Sequence, residues 1–368
     1  MDHLFSGVMG LTGGNITMFL IGFFLIWLAV KNKVSSSFLV SLGFGTILAN
    51  IPFTPIAIEG SPITFLLRSG IFLELLPLAL LVVIGAMSDF SYLIRWPGSL
   101  FYSIPAQFGF FVVLSAAAAW GFTMKQAAAV SILGAVHGPA AIYVATQFAI
   151  GLLGPIALIA YVHPLLQPML QPPLIKLLTS KKDRCIRMDE ARMHRPVSER
   201  AKILFPLVIT LAVGLVAPFA ATMIGLLMFG NLLRECVLLK CPETLAETDV
   251  AKWLTGIMGF FIGATMSADT FLTPEVAVLT GFSLLAILLD VACGVLFIKI
   301  INIALTKKIN PMLGACGVSF FLPSSANIFA DVACEENHGN SMTCYANSIH
   351  AANGIVAAIV SGLVLICI

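Results

Sequence analysis

His137 stands in Gly134-Ala-Val-His-Gly138-Pro139, inside residues 126–175, a run of 50 residues without one Asp, Glu, Lys or Arg. An imidazole at such a position can carry a proton or make a hydrogen bond, and an ionisable group at membrane depth is a functional candidate by default. The neighbouring Gly and Pro interrupt the i→i−4 ladder and free backbone groups. A bilayer tolerates freed groups only against protein or a watery cavity. His163 shares the run, in Tyr161-Val-His-Pro164 with Pro168, Pro172 and Pro173 following. A functional role and a hydrogen bond to a freed carbonyl are equal readings of it. Asn310-Pro-Met-Leu-Gly314-Ala-Cys-Gly-Val-Ser319 is a second broken segment. Its Asn, Ser and unwound carbonyls are neutral oxygen donors of the kind that hold a hard monovalent cation. The plainer reading is an Asn cap and a Ser bonded to its own helix. Asp290 sits within an apolar run and could neutralise an imidazolium, bind a cation, or stand protonated. Asp89 and Asp269 fall near segment ends, where interfacial water solvates them.

Such groups must be positioned by spanning helices. Apolar residues make up 59% of the 368, charged residues 10%, and mean hydropathy is +1.01. These values lie far outside those of soluble domains. The reading is an all-α polytopic membrane protein of about 11 transmembrane segments, some of them discontinuous at Gly and Pro. The first apolar segment lacks a basic n-region and reads as a spanning helix. A net charge of +2, with no basic patch interleaved with aromatics, excludes nucleic acid. No P-loop, GxSxG or HExxH occurs. The eight cysteines contain no CxxC pair and read as apolar fillers, with a Cys334–Cys344 bridge left open.

One hydrophilic segment divides the chain. Residues 176–202 carry nine of the 20 Lys and Arg, against four acids, which places this loop on the cytoplasmic side. The segments around it echo each other. Gly85-Ala-Met-Ser-Asp89 resembles Gly263-Ala-Thr-Met-Ser-Ala-Asp269, and Gly45 to Asn50 resembles Gly225 to Asn231 at a similar offset. The organisation is a first transmembrane repeat (1–178), a basic connecting loop (179–202) and a second repeat (203–368). Transporters place their sites where broken helices of two repeats meet.

At these motifs the chain resembles the β subunit of sodium-pumping, biotin-dependent decarboxylases of the oxaloacetate, methylmalonyl-CoA and glutaconyl-CoA types. The resemblance runs through Gly138-Pro-Ala-Ala-Ile-Tyr143, Gln171-Pro-Pro-Leu-Ile-Lys176, Arg195-Pro-Val-Ser198, Phe229-Gly-Asn-Leu-Leu-Arg-Glu235, Asn310-Pro, Gly314–Ser319 and Asn353. It implies a cell-membrane subunit that receives carboxybiotin from a carrier, releases CO₂ with uptake of a proton, and drives Na⁺ outward. The oxaloacetate type is the first expectation. Implied partners are a biotin carrier/carboxyltransferase subunit and a small γ-type membrane subunit, with a homo-oligomer compatible; no biotin is attached to this chain. The family's sodium site maps onto Asn310, Gly314 and Ser319. Its Asp before Gly-Pro is His137 here, its following Tyr is His163, and its Arg is about Asn327. Because an imidazole gives Na⁺ no anionic oxygen, a secondary transporter on the same fold and a non-pumping paralogue stand as alternatives, with Asp290 a replacement charge.

Overall fold

The structure, a computed structural model, describes residues 6–32, 36–54, 71–135, 138–188, 193–236, 246–318 and 342–367. Among the described residues every regular element is helical. The longer helices are α1 (Gly13–Asn32), α2 (Ser36–Ala49), α3 (Ile71–Met87), α4 (Phe108–Trp120), α5 (Met124–Ala135) and α6 (Gly138–Phe148). They continue as α7 (Leu153–Leu178), α8 (Glu199–Val216), α9 (Ala221–Cys236), α10 (Ala246–Gly263), α11 (Pro274–Ala304) and α12 (Thr343–Cys367). Local chemistry sets several ends. Gly121, at φ +110°, closes α4 in the left-handed region. The Ser198 hydroxyl caps α8 by accepting from the Ala201 amide. Pro274 opens α11 where a missing N–H is harmless.

Among the described residues, five helical stretches are long and apolar enough to cross a membrane: Gly13–Lys31, Ser99–Trp120, Pro218–Cys236, Pro274–Ala304 and Thr343–Leu363. A sixth crossing arises if Ile150–His163 and Leu166–Leu178, bent by 56°, form one span. Shorter apolar helices, Ser37–Ala49 and Leu75–Met87, add to these, in keeping with the polytopic membrane protein that the composition predicts. Residues 126–149, read as one segment, take in α5, described to Ala135, and α6, described from Gly138, with His137 outside the described residues. The outer faces are apolar: Leu20, Phe23, Phe24 and Trp27 on α1 are each more than half exposed, as a lipid-facing surface requires.

Two helix crossings tie the regions before and after the basic loop together. A Cβ on Gly85 (α3) would lie 1.8 Å from the Leu227 carbonyl oxygen, and one on Gly230 (α9) 1.9 Å from that of Val82. In the other crossing, a Cβ on Gly263 (α10) would lie 2.2 Å from the Leu42 oxygen, and one on Gly45 (α2) 2.4 Å from that of Phe260. Only glycine permits backbones so close, the usual packing device where lipid replaces water. Residues 82 and 85 become 260 and 263 at an offset of 178, while 42 and 45 become 227 and 230 at 185. Asn50 Nδ2 donates to the Met266 carbonyl at 2.7 Å and Asn231 Nδ2 to that of Ser88 at 3.1 Å, the acceptors again 178 apart. Gly85 and Gly263, echoed in sequence, thus hold equivalent places in packing, whereas Gly45 has its packing counterpart in Gly230 and not in Gly225.

Candidate functional site

One face of α11 gathers the chemistry. Ser283, Ile287, Asp290 and Gly294 recur at helical spacing and all are buried. Each polar member meets a different element. His163 Nε2, on α7, lies 3.2 Å from the Ser283 carbonyl oxygen and 3.0 Å from its hydroxyl. Lys299 Nζ donates to the Leu178 carbonyl at 3.0 Å. The near-equal sequence separations of these contacts, 120 and 121, mean that α7 and α11 run in the same direction.

Asp290 is fully buried, and its Oδ1 accepts the Gly109 amide at 2.6 Å. That amide belongs to the first turn of α4, where unpaired N–H groups favour negative charge. Gly109 has to be glycine, since a Cβ would lie 2.5 Å from Oδ1 and 2.8 Å from the Ala286 oxygen. Oδ2 has no partner among the described residues. Just before α4, a 3₁₀ turn (Ile104–Gln107) presents Gln107, whose Nε2 donates to Asn353 Oδ1 on α12.

One turn beyond Asp290, Gly294 meets the broken segment. Pro311–Val318 is a 3₁₀ helix with all eight residues buried, and irregular backbone at this depth survives only when enclosed by protein. Cβ atoms on Gly294 and Gly314 would each fall 2.0 Å from the other's carbonyl oxygen. Asn310 is fully buried and its carboxamide is engaged: Nδ2 donates to the carbonyls of Arg184 and Ile186, both at 3.0 Å, and Oδ1 accepts the Met312 amide at 3.1 Å. It is therefore a cap on the segment and a tether to the basic loop.

Asp290, Gly314 and His163 are thus arranged along α11, with Asn310 at the loop end of the broken segment. His137, Ser319, Asn327 and Cys334 lie outside the described residues. The flanks of His137 are described: a Cβ on Gly134 would lie 2.8 Å from the Phe110 amide nitrogen, and one on Gly138 2.8 Å from the Tyr161 ring. Sequence reasoning missed Gln107, Gln167 and Gln171, all fully buried. Both polar atoms of Gln167 and of Gln171 lack a partner among the described residues. Each such atom costs about 1–3 kcal/mol when no solvent reaches it. The signal was present, because His163, Gln167 and Gln171 repeat every four residues within the charge-free run. Asp89, read as interfacial, is half-buried and accepts the Ser91 amide. Among the described residues no group of three or more His, Cys, Asp or Glu could hold a metal ion. What this face offers among the described residues is the unpartnered Oδ2 of Asp290, one turn from the backbone of the 3₁₀ segment that packs on Gly294.

A family model described as Na⁺-transporting oxaloacetate decarboxylase beta subunit matches residues 14–368. The chain is 34% identical over 384 residues to the methylmalonyl-CoA decarboxylase subunit beta of Propionigenium modestum, covering 98% of this chain and 96% of that one. It is 36% identical over 361 residues to the glutaconyl-CoA decarboxylase subunit beta of Acidaminococcus fermentans, covering 98% and 95%. It is 32% identical over 420 residues to oxaloacetate decarboxylase beta chain 2 of Salmonella typhi, covering 98% and 96%.

Proposed function

From a chain that belongs to the family of Na⁺-transporting decarboxylase β subunits, we propose a membrane subunit that decarboxylates carboxybiotin and couples this step to Na⁺ export. Carboxybiotin arrives on a carrier/carboxyltransferase subunit, a small γ-type subunit completes the complex in the cell membrane, and loop 176–202 faces the cytoplasm where the carrier docks. Repeats 1–178 and 203–368 supply the two halves of the pump. The carbamate C–N bond breaks, CO₂ leaves, and the biotin nitrogen takes a proton.

The observation that carries this reading is Asp290: a buried carboxyl group whose Oδ2 has no partner among the described residues, one turn from the Gly294–Gly314 crossing. It supplies the anionic oxygen that His137 does not. Gly314 and Ser319, with carbonyls of the broken segment, complete the oxygen set. Asn310 holds that segment in place, and His137 and His163 are the proton carriers. The donor of the carboxyl group is oxaloacetate in our first reading. A second reading, an acyl-CoA thioester, is favoured by alignment length: 361 residues against the glutaconyl-CoA relative but 420 against the oxaloacetate one, for the same 98% of this chain.

The test is the reconstituted complex in proteoliposomes, offered oxaloacetate, methylmalonyl-CoA and glutaconyl-CoA in turn. Na⁺-dependent CO₂ release with ²²Na⁺ movement on one donor is expected. Solute transport without any biotinylated partner would replace this reading with a secondary transporter. Normal assembly without ion flux would mark a non-pumping paralogue.

A further inference from the structure

His163, Gln167 and Gln171 follow at four-residue spacing on α7, His163 just before its 56° bend and the two glutamines after it, and are 1%, 0% and 0% exposed. His163 Nδ1 and all four amide atoms of the two glutamines are without a protein partner among the described residues. Pro164, Pro168, Pro172 and Pro173 interleave with them. Each proline lacks an N–H, so the carbonyls of Ala160, Pro164, Pro168 and Met169 receive no i→i−4 bond. Because α7 and α11 run in the same direction with Ser283 at His163, Asp290, seven residues further on, stands at the depth of Leu170 and Gln171. Its Oδ2 is unpartnered as well.

Packing does not ask for these groups, since apolar side chains would fill the same volume without stranded amides. The file spans about 12 Å of helix, several times the radius of one ion's oxygen shell. Glutamine is neutral and both donates and accepts, so it passes hydrogen-bond direction from one neighbour to the next without trapping charge. Buried waters characteristically bind such otherwise unsatisfied polar atoms.

We propose that this face of α7 binds a file of internal water molecules that conducts protons between the depth of Asp290 and His163. In each transfer a water accepts one proton and releases another to its neighbour, so the file moves one H⁺ and is itself unchanged. The direction and use of that proton rest on the decarboxylase reading, in which the biotin nitrogen consumes one H⁺ per CO₂ released; hydration of the face does not.

Two measurements test this. Hydroxyl-radical footprinting by X-ray radiolysis, on the full chain in lipid nanodiscs, should oxidise His163 despite its burial, because radicals form from bound water. The Gln167→Met/Gln171→Met variant keeps side-chain volume and should lower that oxidation by about fivefold or more as the file loses its partners. In the reconstituted complex the same variant should slow decarboxylation at least about fivefold while half-saturation by Na⁺ stays within about twofold. The single substitutions serve where the double variant assembles poorly. An unlabelled His163 in the native chain would show the face to be dry and overturn the proposal. Unchanged turnover in the variants would overturn conduction. A tenfold or larger weakening of Na⁺ half-saturation would make this a cation site instead. A native complex that decarboxylates nothing would sink the function proposed above, and labelling would still decide whether the face is wet.

Discussion

At the scale of single residues, His137, where the family resemblance implies an Asp, and Asp290 can be separated by substitution. Asp290→Asn keeps an oxygen to accept the Gly109 amide, so the complex should still assemble. Removing the negative charge should weaken Na⁺ half-saturation by about tenfold or more in ²²Na⁺ flux, because a charge in a low-dielectric site acts almost unscreened. Equal Na⁺ dependence would exclude Asp290 from the site. His137→Asp should act in the opposite sense. An imidazole gives a cation no anionic oxygen, whereas a carboxylate does, so the Asp variant should bind Na⁺ about tenfold or more tightly in ²²Na⁺ flux. An unchanged affinity would mark His137 as structural. Asp290 was legible in the sequence because a carboxylate in an apolar run has no local excuse. Asn310 was legible as a break but not as a tether, since nothing near it in sequence announces the carbonyls of Arg184 and Ile186. Gln167 and Gln171 escaped because neutral amides carry no charge to flag them.

At the scale of elements, glycine spacing predicts where helices are held hardest. Gly85→Ala and Gly263→Ala each drive a methyl to within 2.2 Å of a backbone oxygen, at 1.8 and 2.2 Å. Backbone cannot yield as a side-chain tip does, so each should cost at least about 1–3 kcal/mol. The two losses should be similar because the crossings are equivalent. Thermal unfolding in detergent measures this; a neutral Gly85→Ala would mean that α3 and α9 do not cross there. Gly294→Ala belongs to the site itself. It should push the 3₁₀ segment off α11 and abolish Na⁺-dependent turnover even where the subunit still assembles. The irregular segment was readable from Asn310-Pro311, and two of the echoed glycines, Gly85 and Gly263, stand at close helix crossings. What composition does not reveal is which helices pair: nothing in the apolar runs announces that α3 crosses α9 and that α2 crosses α10.

At the scale of the whole molecule, the basic loop is built into the bundle. Ser180 and Asp183 form a capping box, and Lys299 reaches Asp183 at 3.5 Å from the end of α11. Partial desolvation pushes the Asp183 carboxyl up, but the Ser180 amide and hydroxyl and the Lys299 ammonium outweigh it and hold it below the ordinary carboxylate range. A lowered folded value means that this tether holds above the unfolded value and is lost as pH falls through the folded one. Asp183→Asn should therefore loosen the loop at neutral pH, read as faster amide exchange over residues 180–186. Cys185 reports sidedness: an impermeant thiol reagent should leave it unmodified in intact cells, and labelling from outside would reverse the topology. The Asn310 carboxamide gives the loop a larger meaning. One side chain grips the carbonyls at 184 and 186 and the amide at 312, and the segment it caps is locked against α11 through Gly294 and Gly314. Force applied at the loop is thus delivered beside Asp290 through contacts with little room to give. Coupling of this kind obeys reciprocity: whatever factor a docked protein applies to ion affinity, a bound ion applies to docking. If ion and carrier bind as proposed, the basic loop is a gauge of ionic occupancy, readable without turnover, and Asn310→Ala cuts the needle from the dial.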